Sequence, residues 1–239
     1  MDSVEDDTIE ITGDDARHIA LSLRMKTGEE LCLCDGKGKE ALGKISAVCP
    51  ESVTLDIFEH RDSVAEPKTE VVLYQALPKF DKLEYIIQKS VELGVSEIVP
   101  VLTSRCISRP DEKTMAKKLD RLQKIADEAA KQSGRGKLPK VSEMLTFKNA
   151  VKELCKAEMP ILLYEHADYP LRGCMEKYSG GKIAIFVGAE GGFSEEEAEF
   201  AVKSGAFSAS LGPRILRCET APVAAISAIM YAAGEMEIQ

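Results

Sequence analysis

Hydrophobic and polar residues alternate along the first quarter of the chain, whereas continuous apolar runs dominate the remainder. Between Ile9 and His60, alternating stretches such as LCLCDGKGKEALGKISAV are broken by Asp-Gly and Gly-Lys-Gly turns, which is typical of β-hairpins. From Val71 onward, apolar runs such as VVLYQAL and KIAIFVG alternate with helical segments, which predicts a parallel α/β sheet. The charged segment RDSVAEPKTE separates the two regions as a linker. The pattern therefore predicts a β-rich domain over residues 1–66 and an α/β domain over residues 67–239.

Two glycine-rich turns stand out in the last quarter of the chain, each after an apolar strand. The first, FVGAEGGFSEEE from Phe186, leads into a helix whose start is marked by Ser194 and Glu197, the two residues of a capping box. The second, LGPRILRCETAP from Leu211, precedes a helix of small and apolar residues predicted over 221–233. Carboxyl ends of parallel strands share one edge of a sheet, so both turns are expected to face one ligand crevice.

The net charge of -9 is distributed unevenly along the chain. Residues 1–66 hold 7 Lys or Arg against 16 Asp or Glu, whereas residues 105–140 hold 11 basic against 5 acidic residues. Most of this basic segment is predicted to be an amphipathic helix over residues 113–132. Such a charge run is either a solvated helix face or a phosphate-binding surface, and the sequence leaves both interpretations open.

Composition places the chain among ordinary globular proteins. No apolar run is long enough to span a bilayer, and the acidic start MDSVEDD differs from the basic-then-apolar order of a secretory signal. No membrane association is therefore predicted, and the cytoplasm is the expected location. The seven cysteines lack a C-x-x-C pair and the three histidines are far apart, so no metal site is predicted.

Two segments of the sequence resemble nucleotide-binding motifs but do not match them. Residues 38–45 have the G-x-x-x-x-G-K spacing of a phosphate loop, but Ile45 cannot ligate magnesium and the segment lies between predicted strands. GAEGG departs from G-x-G-x-x-G because Glu190 occupies the position of the second glycine. A nucleoside triphosphatase and a Rossmann dehydrogenase are both disfavoured.

Taken together, the two turns resemble motifs of the RsmE family, SPOUT-class methyltransferases that modify N3 of a uridine in small-subunit (16S) ribosomal RNA. The family pattern G-P-E-G-G-F corresponds to GAEGGF here, and L-G-x-R-I-L-R-x-E-T-A corresponds to LGPRILRCETA. QKSVELGVSEIVP from Gln88, EAAKQSGRGKLP from Glu128 and HIALSLRMKTGEEL from His18 are also similar to family segments. The resemblance thus covers nearly the whole chain. Its two departures are Ala189 for the usual proline and Cys218 for the usual threonine.

The resemblance implies an α/β fold with a SPOUT-type parallel sheet, a C-terminal trefoil knot at about residues 160–239, and a small N-terminal PUA-like β-barrel domain that binds RNA. It also implies a homodimer, S-adenosylmethionine as cofactor, and small-subunit ribosomal RNA, in an assembled or nearly assembled subunit, as partner. The residues implied to bind the cofactor are Leu163, Glu165, Gly188, Glu190, Gly191, Gly192, Leu211, Gly212, Ile215 and Leu216.

Methylation at uridine N3 requires loss of the N3 proton, because the protonated nitrogen is not nucleophilic. Arg217 is the catalytic candidate whose guanidinium would stabilise charge developing on the uracil oxygens, although it equally suits a phosphate contact. Glu190 and Glu219 are candidates for accepting the proton, and the sequence does not choose between them. Cys218 is disfavoured as a covalent nucleophile because no activating His or Lys lies near it in sequence.

The residues expected to bind RNA are all basic: Arg17, Arg24, Arg105, Arg109, Lys131, Arg135 and Arg214. The acidic balance of residues 1–66 conflicts with the basic face expected of an RNA-docking module. Three other functions stay open at this point. These are a SPOUT methyltransferase acting on another RNA position or on transfer RNA, a non-catalytic ribosome-assembly factor, and a small-molecule α/β enzyme.

Overall fold

The structure is a computed structural model that describes residues 4–237, apart from the side chain of Glu112. Two compact units divide these residues: one runs up to Glu66 and includes Gly134–Leu138, and the other comprises Pro67–Ser133 and the residues from Pro139 onward. The first three and last two residues of the predicted domain ranges lie outside the described residues. None of the described helices combines the length and apolar character needed to cross a bilayer.

The first unit is built on an antiparallel sheet of four strands in the order β1-β4-β3-β2. The strands are β1 (Thr8–Thr12), β2 (Glu30–Cys34), β3 (Lys39–Val48) and β4 (Ser52–Asp62). A short helix, α1 (Gly13–Arg17), follows β1 and continues as a π-helical segment, His18–Leu23. The predicted hairpins are present, since β3 pairs with both β2 and β4. The strand order is open rather than that of a closed barrel, with β1 and β2 at its edges.

Alternation explains why this sheet forms. Ile9 and Ile11 of β1 are buried between exposed neighbours, and they join Val53 and Leu55 of β4 in one core cluster. One face of an antiparallel sheet is thereby buried and the other is solvated. The predicted linker is partly wrong, because its first two residues belong to β4.

The second unit contains a parallel sheet of seven strands. Its strands are β5 (Glu70–Ala76), β6 (Glu97–Leu102), β7 (Lys140–Val141), β8 (Leu145–Thr146), β9 (Met159–Leu163), β10 (Lys182–Val187) and β11 (Phe207–Ala209). Its helices are α2 (Lys82–Glu92), α3 (Glu112–Gln132), α4 (Phe147–Leu154), α5 (Leu171–Lys177), α6 (Glu195–Lys203) and α7 (Thr220–Ala232). The predicted parallel α/β sheet is therefore confirmed.

The order of this sheet is β11-β9-β10-β5-β6-β7, with β8 also pairing with β6. Every residue of β9 is buried, as are all but the first residue of β10, which is the burial expected of central parallel strands. Because the strands are parallel, the loops that follow β5, β6, β9, β10 and β11 all leave the same edge. Five loops far apart in sequence are thus brought to the edge at which open α/β sheets bind ligands.

Candidate active site

A cavity of about 480 Å³ opens at the carboxyl edge of the parallel sheet in the second unit. The loops that follow β9, β10 and β11 line it, together with the start of α2. The volume lies within the range of roughly 300–1,000 Å³ typical of small-molecule sites. All residues predicted to bind the cofactor line this cavity except Gly191. They are Leu163, Glu165, Gly188, Glu190, Gly192, Leu211, Gly212, Ile215 and Leu216.

The turn after β10 depends on glycine at two positions. The N–H of Gly192 donates to the carbonyl of Ala189 at 2.9 Å, and Gly192 adopts a φ of +63°, which other residues rarely adopt. A Cβ on Gly192 would lie 2.6 Å from a carboxylate oxygen of Glu165. A Cβ on Gly188 would lie 3.0 Å from the Cα of Gly192, and the amide of Gln75 donates to the Gly188 carbonyl at 3.3 Å. The turn, which contains the buried Ala189, is therefore closely packed.

The loop after β6 supports this turn from outside the cavity. The guanidinium of Arg105 donates to the carbonyl of Gly191 at 2.9 Å, and the N–H of Ser104 donates to the carboxylate of Glu197 at 2.7 Å. Glu197 also completes the predicted capping box with Ser194 at the start of α6, which confirms that prediction. One buried carboxylate thus connects the loop after β6 to the helix that follows the glycine turn.

Lys82 joins two carboxylates at the cavity. Its Nζ lies 3.2 Å from Glu190 Oε1 and 3.1 Å from Glu219 Oε2, and the N–H of Lys79 also donates to Glu190 at 3.1 Å. Burial alone would raise the pKa of each carboxyl group, but hydrogen bonds from backbone N–H groups and the Lys82 ammonium hold both pKa values below their usual range. Hydrogen bonds to the two carboxylates raise the pKa of Lys82. The three side chains therefore carry a net charge of about -1 at neutral pH.

Cys218 lies beside this cluster as a protonated thiol. Its Sγ donates to Glu219 Oε2 at 3.2 Å and lies 3.8 Å from Lys82 Nζ. Burial, reinforced by the hydrogen bond to Glu219, raises the pKa of Cys218 to about 12. Because the thiolate is the nucleophilic form of cysteine, this environment suppresses covalent chemistry at Cys218.

Arg214 and Arg217 belong to the loop between β11 and α7 and both line the cavity. The carbonyl of Arg217 accepts the N–H groups of Thr220 and Ala221 at 2.8 and 2.9 Å, so its backbone is fixed at the start of α7. Its side chain is exposed, and no described residue engages its guanidinium in an ion pair or a hydrogen bond. Arg217 is thus positioned to meet a ligand in the cavity.

The remaining residues predicted to bind RNA are dispersed. In the first unit, Arg17 and Arg24 are exposed, but the Arg135 side chain is only 4% exposed and its guanidinium lies 3.0 Å from the Glu66 carboxylate. The prediction for Arg135 is therefore corrected, because an arginine buried in an ion pair does not reach phosphates. In the second unit, Lys131 is exposed on α3, whereas Arg109 donates to backbone carbonyls of its own loop.

Lys82 was not predicted from the sequence, although a signal for it exists. It follows β5 by six residues, and the carboxyl end of β5 lies beside that of β10 in the sheet. A cation in the turn after β5 is therefore a candidate partner for the carboxylate of Glu190 in the turn after β10, because the two strands are neighbours in the sheet.

One group of possible metal ligands occurs among the described residues. Cys32, Cys34 and Glu40 of the first unit have donor atoms within 4.8 Å of one another. Arg61 already donates to the Glu40 carboxylate at 2.9 Å. The pKa of the Cys34 thiol is raised to about 12, and burial is the largest cause. A metal ligand must be deprotonated, so a thiol that stays protonated and a carboxylate that is already paired with an arginine make this a poor cation site.

Comparisons with known proteins agree with this geometry. A family model described as an RNA methyltransferase domain matches residues 65–230, and one described as an RNA methyltransferase PUA domain matches residues 11–58. Ribosomal RNA small subunit methyltransferase E of Bacillus subtilis is 34% identical over 94% of this chain and 90% of its own. The protein of that name from Synechocystis is 32% identical over 93% of this chain and 72% of its own. A crystal structure of the Neisseria gonorrhoeae protein of that name, bound to S-adenosyl methionine, has a TM-score of 0.84 at 31% identity, covering 97% of this chain and 95% of that one.

Proposed function

From the premise that this chain belongs to the family of ribosomal RNA small subunit methyltransferase E, we propose that it methylates N3 of a uridine in small-subunit ribosomal RNA with S-adenosylmethionine. Membership confirms the family predicted from the two glycine turns. The observation that carries the proposal is the convergence of both motifs on one cavity, although they are separated in sequence by the whole of α6 and β11.

The cavity fits S-adenosylmethionine in shape and charge. Its volume suits a nucleoside-sized ligand, and glycines 188, 192 and 212 allow backbone to approach that ligand closely. The cluster of Lys82, Glu190 and Glu219 carries a net charge of about -1, which favours a cationic group beside it, whereas Arg214 and Arg217 of the same cavity lining remain for the RNA. When bound, this cofactor supplies an electrophilic methyl group on a sulfonium centre. The loops of the chain hold the cofactor, orient it and exclude water from it.

Arg217 is proposed to stabilise the uridine anion. A guanidinium directed at the uracil carbonyl oxygens lowers the cost of removing the N3 proton, because negative charge develops on those oxygens. The absence of a protein partner for this guanidinium among the described residues supports the role. Arg217 thus acts through its charge and needs no proton transfer of its own.

Glu190 and Glu219 are proposed to bind the cofactor electrostatically rather than to accept the proton. A carboxylate with a pKa below its usual range is a weak base, and Lys82 holds both in that state. The N3 proton is instead lost to bulk solvent in an equilibrium before methyl transfer, and Arg217 raises the fraction of uridine present as the anion by stabilising it. This assignment separates the roles that the sequence left open.

The two units are proposed to divide the work. Residues 1–66 would dock RNA through exposed residues such as Arg17 and Arg24, and residues 67–239 would carry the methyl-transfer site. We also propose the C-terminal trefoil knot at about residues 160–239, a homodimer, and action in the cytoplasm. The family resemblance supports these features, and the mass in solution, measured by light scattering, tests the dimer.

Transfer of labelled methyl groups tests the function. Small ribosomal subunits lacking their native methylation are incubated with the enzyme and labelled S-adenosylmethionine, then digested to nucleosides. We expect label in N3-methyluridine, and we expect Arg217→Ala to lower kcat about 10²- to 10³-fold while cofactor affinity stays within about threefold. Arg172→Ala, which changes an exposed arginine on α5, is the matched control. Label in another nucleoside would refute the N3 assignment, and an unchanged kcat in Arg217→Ala would refute the role of that residue.

A further inference from the structure

Of the described residues, the two most exposed large hydrophobic side chains lie at the candidate active site or in a turn attached to it. Ile215 is 90% exposed and lines the cavity, and Phe80 is 88% exposed in the turn between β5 and α2. Two residues close to Phe80 in the chain, Lys79 and Lys82, attach that turn to the site. The N–H of Lys79 donates to Glu190 at 3.1 Å, and Lys82 forms an ion pair with the same carboxylate at 3.2 Å. The ring of Phe80 is therefore carried by a turn that is fastened to the cavity wall.

The backbone of Phe80 is strained as well. Its φ is +58°, and Arg24 is the only other described non-glycine residue with a positive φ. A bulky aromatic side chain seldom adopts this conformation, whereas glycine and asparagine adopt it readily. The exposed ring also forgoes the stabilisation that burial of an aromatic side chain provides. Neither feature helps the chain to fold, and a strained residue beside a cavity points to a role with a ligand.

We propose that Phe80 is a stacking platform for an unpaired nucleobase of the RNA substrate, next to the uridine that enters the cavity. The inference rests on the proposed RNA methyltransferase function and adds a recognition residue to it. Proteins commonly hold unpaired RNA bases against aromatic rings. The exposed Arg214 and Arg217 at the same cavity provide the positive charge that an RNA strand needs. This charge favours RNA over a second protein chain as the group that covers the ring.

Two substitutions remove the ring without straining the turn. Phe80→Gly and Phe80→Asn both tolerate a φ near +58°, so we expect each variant to unfold at the same or a higher urea concentration than the wild type. Loss of one stacked base weakens binding of RNA about 5- to 150-fold. With small ribosomal subunits lacking native methylation as substrate, the KM for RNA should rise by this factor in both variants. The affinity for S-adenosylmethionine should stay unchanged, because Phe80 does not line the cavity.

A fluorescent variant reports stacking directly. The chain contains no tryptophan, so Phe80→Trp introduces a single tryptophan, which can be excited selectively over the tyrosines and keeps an aromatic face. We expect Phe80→Trp to retain the wild-type KM and its emission to be quenched by an unmodified 16S ribosomal RNA transcript. Tyr231→Trp is the matched control, because Tyr231 is an aromatic residue 77% exposed on α7 and outside the cavity. Its emission should not change when the transcript is added.

Three outcomes overturn the proposal. A wild-type KM in both Phe80→Gly and Phe80→Asn would refute the platform while leaving the methyltransferase assignment intact. A blue shift of Phe80→Trp emission that depends on protein concentration alone, with a lower mass for Phe80→Gly in light scattering, would identify a second copy of the chain as the partner of the ring. Absence of RNA methylation by the wild type would refute the proposed function itself and this inference with it.

Discussion

Gly192→Ala is the sharpest single test of the glycine turn as a cofactor site. Gly192 has a φ of +63°, and an added Cβ would lie 2.6 Å from a carboxylate oxygen of Glu165. That oxygen ends a flexible side chain and can withdraw, so the lasting cost is the left-handed backbone, about 1–2 kcal/mol for alanine. If the turn keeps its conformation, the protein loses that much unfolding free energy. If the turn relaxes instead, ligand binding must restore it, and the Kd rises about 5- to 30-fold.

Gly234→Ala is the matched control, because Gly234 has a similar φ of +77° and a Cβ there meets no atom within 4 Å. Urea unfolding and calorimetric titration with S-adenosylmethionine should be measured on both variants. We expect Gly234→Ala to lose up to about 2 kcal/mol of stability with an unchanged affinity for the cofactor. Gly192→Ala should lose stability, cofactor affinity or a part of each, up to the same total. Equal cofactor affinity in the two variants, with the stability of Gly192→Ala unchanged, would refute the reasoning.

Three further predictions follow from the charged groups. Lys82→Met removes the ammonium that lowers the pKa of two carboxyl groups, so the stability lost in urea should be greatest between about pH 4.5 and 10.5. A lowered carboxyl pKa stabilises the folded state above pH 4.5, and this stabilisation disappears as the pH falls. An equal loss of stability at pH 3 and pH 7 would contradict the prediction. Cys218→Ser should keep kcat within about threefold, since a thiol with a pKa of about 12 is not a nucleophile at neutral pH; abolished transfer would contradict this. Arg135→Met should cost about 3–5 kcal/mol of stability, because it removes the cation from the buried Glu66 carboxylate and leaves it the N–H of Lys137. Arg121→Met, at an exposed pair, should cost about 0–1 kcal/mol, and equal losses would contradict the contrast.

Local sequence signals predict much of this structure because they rest on short-range physics. The capping box at Ser194 needs only a glutamate three residues later, and the helix predicted over residues 113–132 is present as Glu112–Gln132. The convergence of the two glycine turns follows from a general property of parallel sheets. These predictions required no knowledge of which strands are neighbours.

Contacts between distant residues explain what the sequence could not predict. Arg135 belongs to a basic segment whose composition suggests RNA binding, yet its side chain is buried against Glu66, 69 positions away in the chain. The positive φ of Phe80 is equally invisible, because nothing in KFDKLE marks a left-handed residue as glycine would. Both outcomes depend on the tertiary surroundings, which determine where a charge is buried and where a backbone is strained.

Long-range contacts also hold the turn after β10 at the cavity. Each part of the turn after β10 is held by a group from another strand end: the Gly188 carbonyl by Gln75, the Gly191 carbonyl by Arg105, and the Glu190 carboxylate by Lys82. A turn held in this way loses little conformational entropy when it binds a ligand, which favours affinity. The hydrogen bonds at Gly188 and Gly191 hold the turn on both sides of Ala189, so we expect that the turn does not need the fixed φ of a proline ring at that position.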